Sequence, residues 1–166
     1  MATAGAEHFN GFAGEDEVDY AGSVRALERG AGFDGDARGD SYVDIENLSW
    51  THLGGILIGD NGQNRLFGRD GHDILQGLGG RDVLEGGHGE NQLFGGRGRD
   101  TLTGGQDHDQ FFGAQGRDTI ILNHALPDLA HAGKGNDKII VLQGTAHQID
   151  GGEGQDVLDL RGFGVV

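Results

Sequence analysis

The chain has 166 residues, with 35 glycines, one proline, no cysteine and a formal net charge of −15 from 27 acidic and 12 basic residues. Without cysteine there are no disulfide staples and no thiolate metal sites, and without a basic excess there is no face for nucleic-acid phosphates. Glycine at this level means low complexity when aperiodic and a repeat architecture when periodic, so spacing decides the class.

In chain order, "MATAGAEHFNGFAGEDEVDY" lacks the charged and apolar regions of a Sec signal peptide. No apolar run approaches the roughly 20 residues of a membrane-spanning helix. A weak nine-residue unit, "GFAGEDEVD", starts at Gly11. Residues 20–49 do not repeat and read as a loop excursion with one strand at Tyr42–Ile45. Within it, "DGDARGDSYVDIE" puts Asp34, Asp36 and Gly39 at EF-hand positions, but Arg38 and Ile45 stand where that loop needs oxygen ligands, so the match is chance. The organisation expected is a lead-in over 1–49, a regular array over 50–121 and an interrupted tail over 122–166.

The array is a run of nines: GDNGQNRLF, GRDGHDILQ, GLGGRDVLE, GGHGENQLF, GGRGRDTLT, GGQDHDQFF and GAQGRDTII, starting at Gly59, Gly68, Gly77, Gly86, Gly95, Gly104 and Gly113. Position 1 is always glycine. Position 4 is glycine except at Asp107, which puts the geometry of that turn in question. Position 6 is aspartate except at Asn64 and Asn91, and position 8 is always apolar. Copies at Ala132 ("AGKGNDKII") and Gly151 ("GGEGQDVLD") are out of phase, which implies small insertions; "LNHALPDLAH" interrupts between.

A period of nine with glycine in every unit opposes helices. Positions 6–9 suit a strand of about three residues with position 8 inward; positions 1–5 then turn the chain, glycine reaching φ > 0 there. Two units make a coil of about 18 residues, and coils stack as parallel strands about 4.8 Å apart. The fold class expected is all-β: a right-handed parallel β-roll of two sheets. One apolar ladder should hold Leu57, Leu75, Leu93, Phe111 and Leu129, the other Leu66, Leu84, Leu102 and Ile120.

Stacking also aligns the position-6 side chains: Asn64, Asp82, Asp100 and Asp118 along one edge, Asp73, Asn91 and Asp109 along the other. Carboxylates at that spacing repel unless a cation lies between them. A hard, oxygen-liganded ion such as calcium, which also accepts backbone carbonyls, is the natural resolution. Histidine, cysteine and glutamate lack the periodicity that zinc or iron would need. His72, His88 and His108 read as exposed spacers; His124, His131 and His147 fall in irregular segments. Tyr42 and Trp50 read as covering the first coil. Arg69, Arg81, Arg97, Arg99 and Arg117 either balance the acidic surface or form a basic stripe for an anionic polysaccharide.

The units resemble the G-G-x-G-x-D-x-U-x nonapeptide of the RTX (repeats-in-toxin) family, which binds calcium in a parallel β-roll. "AGEDEVDYAGS" and "GDSYVDIENL" are similar to that family's flanking segments. The clear resemblance covers residues 50–121, a looser one 9–49 and 132–164. It implies several calcium ions held between stacked turns. The carbonyls would come from Gly68, Asp70, Gly77, Gly79, Gly86, His88, Gly95, Arg97, Gly104, Gln106 and Gly113. The side chains would come from Asn64, Asp73, Asp82, Asn91, Asp100, Asp109 and Asp118, and in the offset copies from Asp137 and Asp156. It further implies a non-catalytic module of a secreted bacterial protein, exported by type I secretion and folded by extracellular calcium. The end, "DLRGFGVV", does not clearly look like the uncleaved signal that such export reads, which is what a fragment would show. The alternative it offers is a carbohydrate-binding R-module, such as those that bind alginate beside the catalytic domains of mannuronan C5-epimerases. No Ser-His-Asp, HExxH or paired-carboxylate arrangement supports an enzyme.

Overall fold

The computed structural model describes residues 54–144 and 146–161 in full and, before them, the backbone of six short strands. Those six are β1 (His8–Asn10), β2 (Glu17–Tyr20), β3 (Val24–Arg25), β4 (Asp34–Gly35), β5 (Ser41–Val43) and β6 (Asn47–Trp50). There follow β7 (Ile56–Ile58), β8 (Arg65–Asp70), β9 (Ile74–Gln76), β10 (Gly79–Gly80), β11 (Val83–His88), β12 (Gln92–Gly98) and β13 (Thr101–Gly105). The last are β14 (Gln110–Gly116), β15 (Thr119–Leu122), β16 (Leu129–Gly135), β17 (Lys138–Val141), β18 (Gln148–Asp150) and β19 (Val157–Leu160). No helix occurs among the described residues.

From β6 onward, apart from the two-residue β10 that pairs with β12, alternate strands go to alternate sheets, as a coil of two strands and two turns requires. One sheet runs β19-β17-β15-β13-β11-β8-β6-β2; the other runs β18-β16-β14-β12-β9-β7-β3-β4. Pairing is parallel throughout both except at β3–β4. The strand expected near residues 42–45 is β5, paired with β1. The side chains of Tyr42 and Trp50, expected to cover the first coil, lie outside the described residues, as do the side chains of the EF-hand-like segment, of which only the backbone of β4 and β5 is described.

The core is a pair of ladders one side chain wide. In the first sheet, Leu66, Leu84, Leu102, Ile120, Ile139 and Leu158 are in register. In the second, Leu57, Leu75, Leu93, Phe111, Ala130 and Ile149 are in register. The residues from Leu57 to Ile120 are essentially inaccessible to water, while positions 7 and 9 face outward. The ladder therefore does not continue at Leu129, as strict spacing predicts. The step is 18 residues up to Phe111 and 19 from Phe111 to Ala130. One extra residue is taken up before Asp128, and a slip of one in a strand exchanges its faces. Leu129 thus takes position 7, half-buried on the outer surface. A second extra residue precedes His147, giving the 19-residue step from Ala130 to Ile149. His131, expected in an irregular segment, instead lies in β16 and stacks on Phe112 at 5.7 Å, which stacks on Phe94 at 4.8 Å.

The turns rest on left-handed backbone. Asp107 keeps that conformation (φ 73°) at a position otherwise held by glycine. Its carboxylate accepts the Gly89 N–H at 3.0 Å, so the substitution leaves the turn intact. Position 2 is left-handed too in the six units from Arg69 to Ala114. Gly87, Gly96 and Gly105 adopt it freely, whereas Leu78 is held at φ 69° with an exposed side chain. A left-handed leucine costs about 1–2 kcal/mol. Leu78→Gly should therefore stabilise the calcium-loaded roll by about 1 kcal/mol in urea unfolding; an unchanged or lower midpoint would contradict this.

Candidate metal centre

Each turn delivers its position-6 side chain into the edge of the roll. Asn64, Asp73, Asp82, Asn91, Asp100, Asp109, Asp118 and Asp137 are all buried. They are tied into two columns by one repeated bond, in which Oδ1 accepts the backbone N–H of the position-6 residue one coil earlier. Asn64 donates to Asp82 at 2.8 Å, Asp82 to Asp100 and Asp100 to Asp118 at 2.9 Å, Asp118 to Asp137 at 2.8 Å and Asp137 to Asp156 at 2.9 Å. On the other edge Asp73 donates to Asn91 and Asn91 to Asp109, both at 2.9 Å.

That bond uses one carboxylate oxygen. The other, Oδ2, is buried and has no hydrogen-bond partner in Asp73, Asp82, Asp100, Asp118 and Asp137. A buried charged oxygen left unpaired is costly, and native folds avoid it. In Asp73, Asp82, Asp100 and Asp118 this oxygen lies against the position-1 glycine of its own turn, whereas the turn of Asp137 has Ala132 there. A Cβ on Gly95 would sit 2.8 Å from Asp100 Oδ2 and 3.0 Å from the Gly113 carbonyl oxygen. On Gly68 it would sit 2.6 Å from Asp73 Oδ2 and 2.5 Å from the Gly86 carbonyl oxygen. The same pairing recurs at Gly77, with Asp82 Oδ2 and the Gly95 carbonyl. Position-1 glycine thus lets a carboxylate oxygen and the next turn's carbonyl oxygen converge where a side chain would otherwise stand. A lining of oxygen alone suits calcium, which takes about six to eight such ligands.

The predicted position-3 residues sit on the outer rim. The side chains of Asp70, His88, Arg97 and Gln106 are exposed, so only their backbone faces the turn; Gly79 is buried. Among the described residues no three histidine, aspartate or glutamate side chains converge as a cluster. An ion here would depend on carbonyls for most of its shell.

The family model for the RTX calcium-binding nonapeptide repeat matches residues 58–93 and 85–120, with four copies. Residues 58–120 are RTX calcium-binding repeats. No curated protein matches the chain.

In these RTX repeats the carboxyls are held in their neutral direction. Burial is the main cause, opposed by the backbone N–H each accepts, and it raises Asp73 to about 6 and Asp82, Asp109 and Asp118 to about 7. Like-charged neighbours add to this: Asp100 against Asp82, and Asp100 and Asp137 against Asp118. Asp100 and Asp137 are raised as well, again by burial first.

One buried carboxylate eluded the spacing argument. Asp128 stands in the second column, its Oδ1 accepting the Asp109 N–H at 3.0 Å. It lies 19 residues after Asp109, beyond the extra residue, so strict nines pass over it. The available signal was the Asp-x-apolar order of Asp128, Leu129 and Ala130 directly after the lone proline.

The arginines separate. Arg81, Arg99 and Arg117 occupy position 5 of successive turns on one edge and line an open groove with Thr101, Thr119 and Lys138. Arg97, at position 3 on β12, and Arg69, on the opposite edge, do not join them, because only residues one coil apart share a row.

Proposed function

We propose that this chain is the calcium-binding β-roll module of a secreted bacterial protein, unfolded where calcium is scarce and folded by calcium after export. The observation that carries this reading is the set of five buried Oδ2 atoms without partners, four of which, in Asp73, Asp82, Asp100 and Asp118, converge with the next turn's carbonyl oxygen at a position-1 glycine. Ions would lie there, between the turns of Asp82 and Asp100, Asp100 and Asp118, Asp118 and Asp137, and Asp137 and Asp156. Carbonyls of positions 1 and 3 would complete the shells. Places with asparagine, at Asn64 and Asn91, carry one carboxylate fewer and bind more weakly. RTX repeats are typical of secreted bacterial proteins, and type I secretion, which passes unfolded chains, fits a module of this kind. The module performs no catalysis itself; its parent protein supplies any reaction.

The test is calcium titration followed by circular dichroism and calorimetry. Folding should track saturation. Asp100→Ala should raise the calcium midpoint about tenfold more than Asp73→Ala, a difference of ~1.4 kcal/mol, because Asp100 serves two fully acidic places and Asp73 does not. Equal midpoints would refute the assignment of ions to turns.

A second reading is supported by the row of Arg81, Arg99 and Arg117 beside Lys138: a module that binds an anionic polysaccharide. Alginate titration of the calcium-loaded chain tests it, with Arg99→Glu expected to abolish binding.

A further inference from the structure

The two columns do not end alike. On the first, unpartnered Oδ2 atoms continue through Asp118 and Asp137, and position 1 stays small beyond Gly113, as Ala132 and then Gly151. On the second, position 1 after Gly104 becomes Leu122 and then Val141. These two pair across β15 and β17 and are both fully buried. Large apolar side chains stand there, where glycine elsewhere lets the carboxylate and carbonyl oxygens converge.

The break is already visible one turn earlier. At Gly68 and Gly86 a Cβ would meet the next turn's carbonyl oxygen, at 2.5 and 2.6 Å. At Gly104 it would meet Asp109 Oδ2 and, at 2.6 Å, the ring of Phe111, with no next-turn carbonyl among the nearest atoms. Neither Asp109 nor Asp128 keeps a buried oxygen without a partner.

At position 6 of the following turn the column carries an imidazole. His147 Nδ1 receives the Asp128 N–H at 3.1 Å, the bond that an aspartate Oδ1 makes everywhere else. The same nitrogen lies 3.3 Å from Asp128 Oδ2, and both side chains are nearly inaccessible, at 4% and 3% exposure. Its Nε2 stands 2.9 Å from the Gln143 carbonyl. With Nδ1 accepting the Asp128 N–H, Nε2 carries the ring proton and donates it to the Gln143 carbonyl, so the imidazole stands between the carboxylate and a turn carbonyl, two groups of the kind an ion would otherwise bridge.

We infer that the second column takes calcium only at the turns of Asp73 and Asn91, and that from Asp109 onward Leu122, Val141 and the Asp128–His147 pair close it without metal. One edge of the last coils is thus independent of calcium while the opposite edge, through Asp137, depends on it. The inference rests on the calcium-binding reading above and goes beyond it in naming a carboxylate that binds no ion.

The test counts tightly bound calcium per chain by mass spectrometry after desalting, for the parent chain, Asp128→Asn, His147→Gln and Asp137→Asn. The first two variants should hold as many ions as the parent, and Asp137→Asn should hold fewer. Loss of an ion from Asp128→Asn or His147→Gln overturns the inference and leaves the calcium reading standing; no calcium on the parent chain overturns both. Should a variant fail to fold, a crystal structure of the calcium-loaded parent decides. Ion density beside Asp73 with none beside Asp128 is the expected result, and an ion between the turns of Asp109 and Asp128 sinks the proposal.

Discussion

Stripping calcium from this chain at pH 7.5 should abolish most of its strand signal in far-ultraviolet circular dichroism and expand its hydrodynamic radius; restoring millimolar calcium should reverse both. The metal-free fold is held by ladders one side chain wide, so the apolar area buried per residue is small. Against it stand buried aspartates in line along each edge, of which Asp82, Asp109 and Asp118 are raised from 3.8 to about 7. Keeping one such carboxylate ionised inside the fold costs up to about 4 kcal/mol at neutral pH. That is comparable with the whole stability of a small domain, about 5–15 kcal/mol. A cation bound only by the folded state reverses the balance, since its binding free energy becomes folding free energy. A dichroism spectrum indifferent to chelation would remove the ground for the calcium reading.

The metal-free chain should regain compact β-structure on acidification, the opposite of ordinary acid denaturation. These carboxyls bind protons more tightly folded than unfolded, so the folded state carries more protons between pH about 4 and 7 and stability falls as pH rises through that window. The ionisation cost is complete above pH 7 and vanishes below the unfolded value of 3.8. Lowering the pH from 7.5 to about 4.5 without calcium should therefore raise the strand signal. With calcium present the sign inverts, because protons compete for the same oxygens and the calcium midpoint should climb as pH drops. A metal-free chain that stays unfolded across the whole range would show that proton binding cannot replace the ion at these positions.

Much of the candidate site was legible in the order of residues. A nine-residue unit with glycine at 1, aspartate at 6 and an aliphatic residue at 8 leaves few compact solutions, because a strand exposes alternate faces and only position 8 is consistently apolar. The two ladders as far as Phe111 and Ile120, the two acidic columns and their oxygen chemistry all follow from that. The asparagines at 64 and 91 could be read as weaker places for the same reason.

The remainder depended on coil-to-coil stacking. Residues meet here because they lie one coil apart, and coil length changes from 18 to 19 at a point that glycine-poor segments do not mark. The displacement of Leu129 to the surface, the entry of Ala130 into the ladder and the presence of Asp128 in the second column were hidden for that reason. So was His147, which in isolation is one histidine of eight and acquires meaning only when Asp128 is found beneath it. Which carboxylate oxygen is left without a partner is likewise a property of neighbouring coils, since the bond that satisfies the first oxygen comes from a residue 18 or 19 positions away. A periodic sequence dictates what must stack, and three-dimensional packing alone decides where the period slips and what fills the gap.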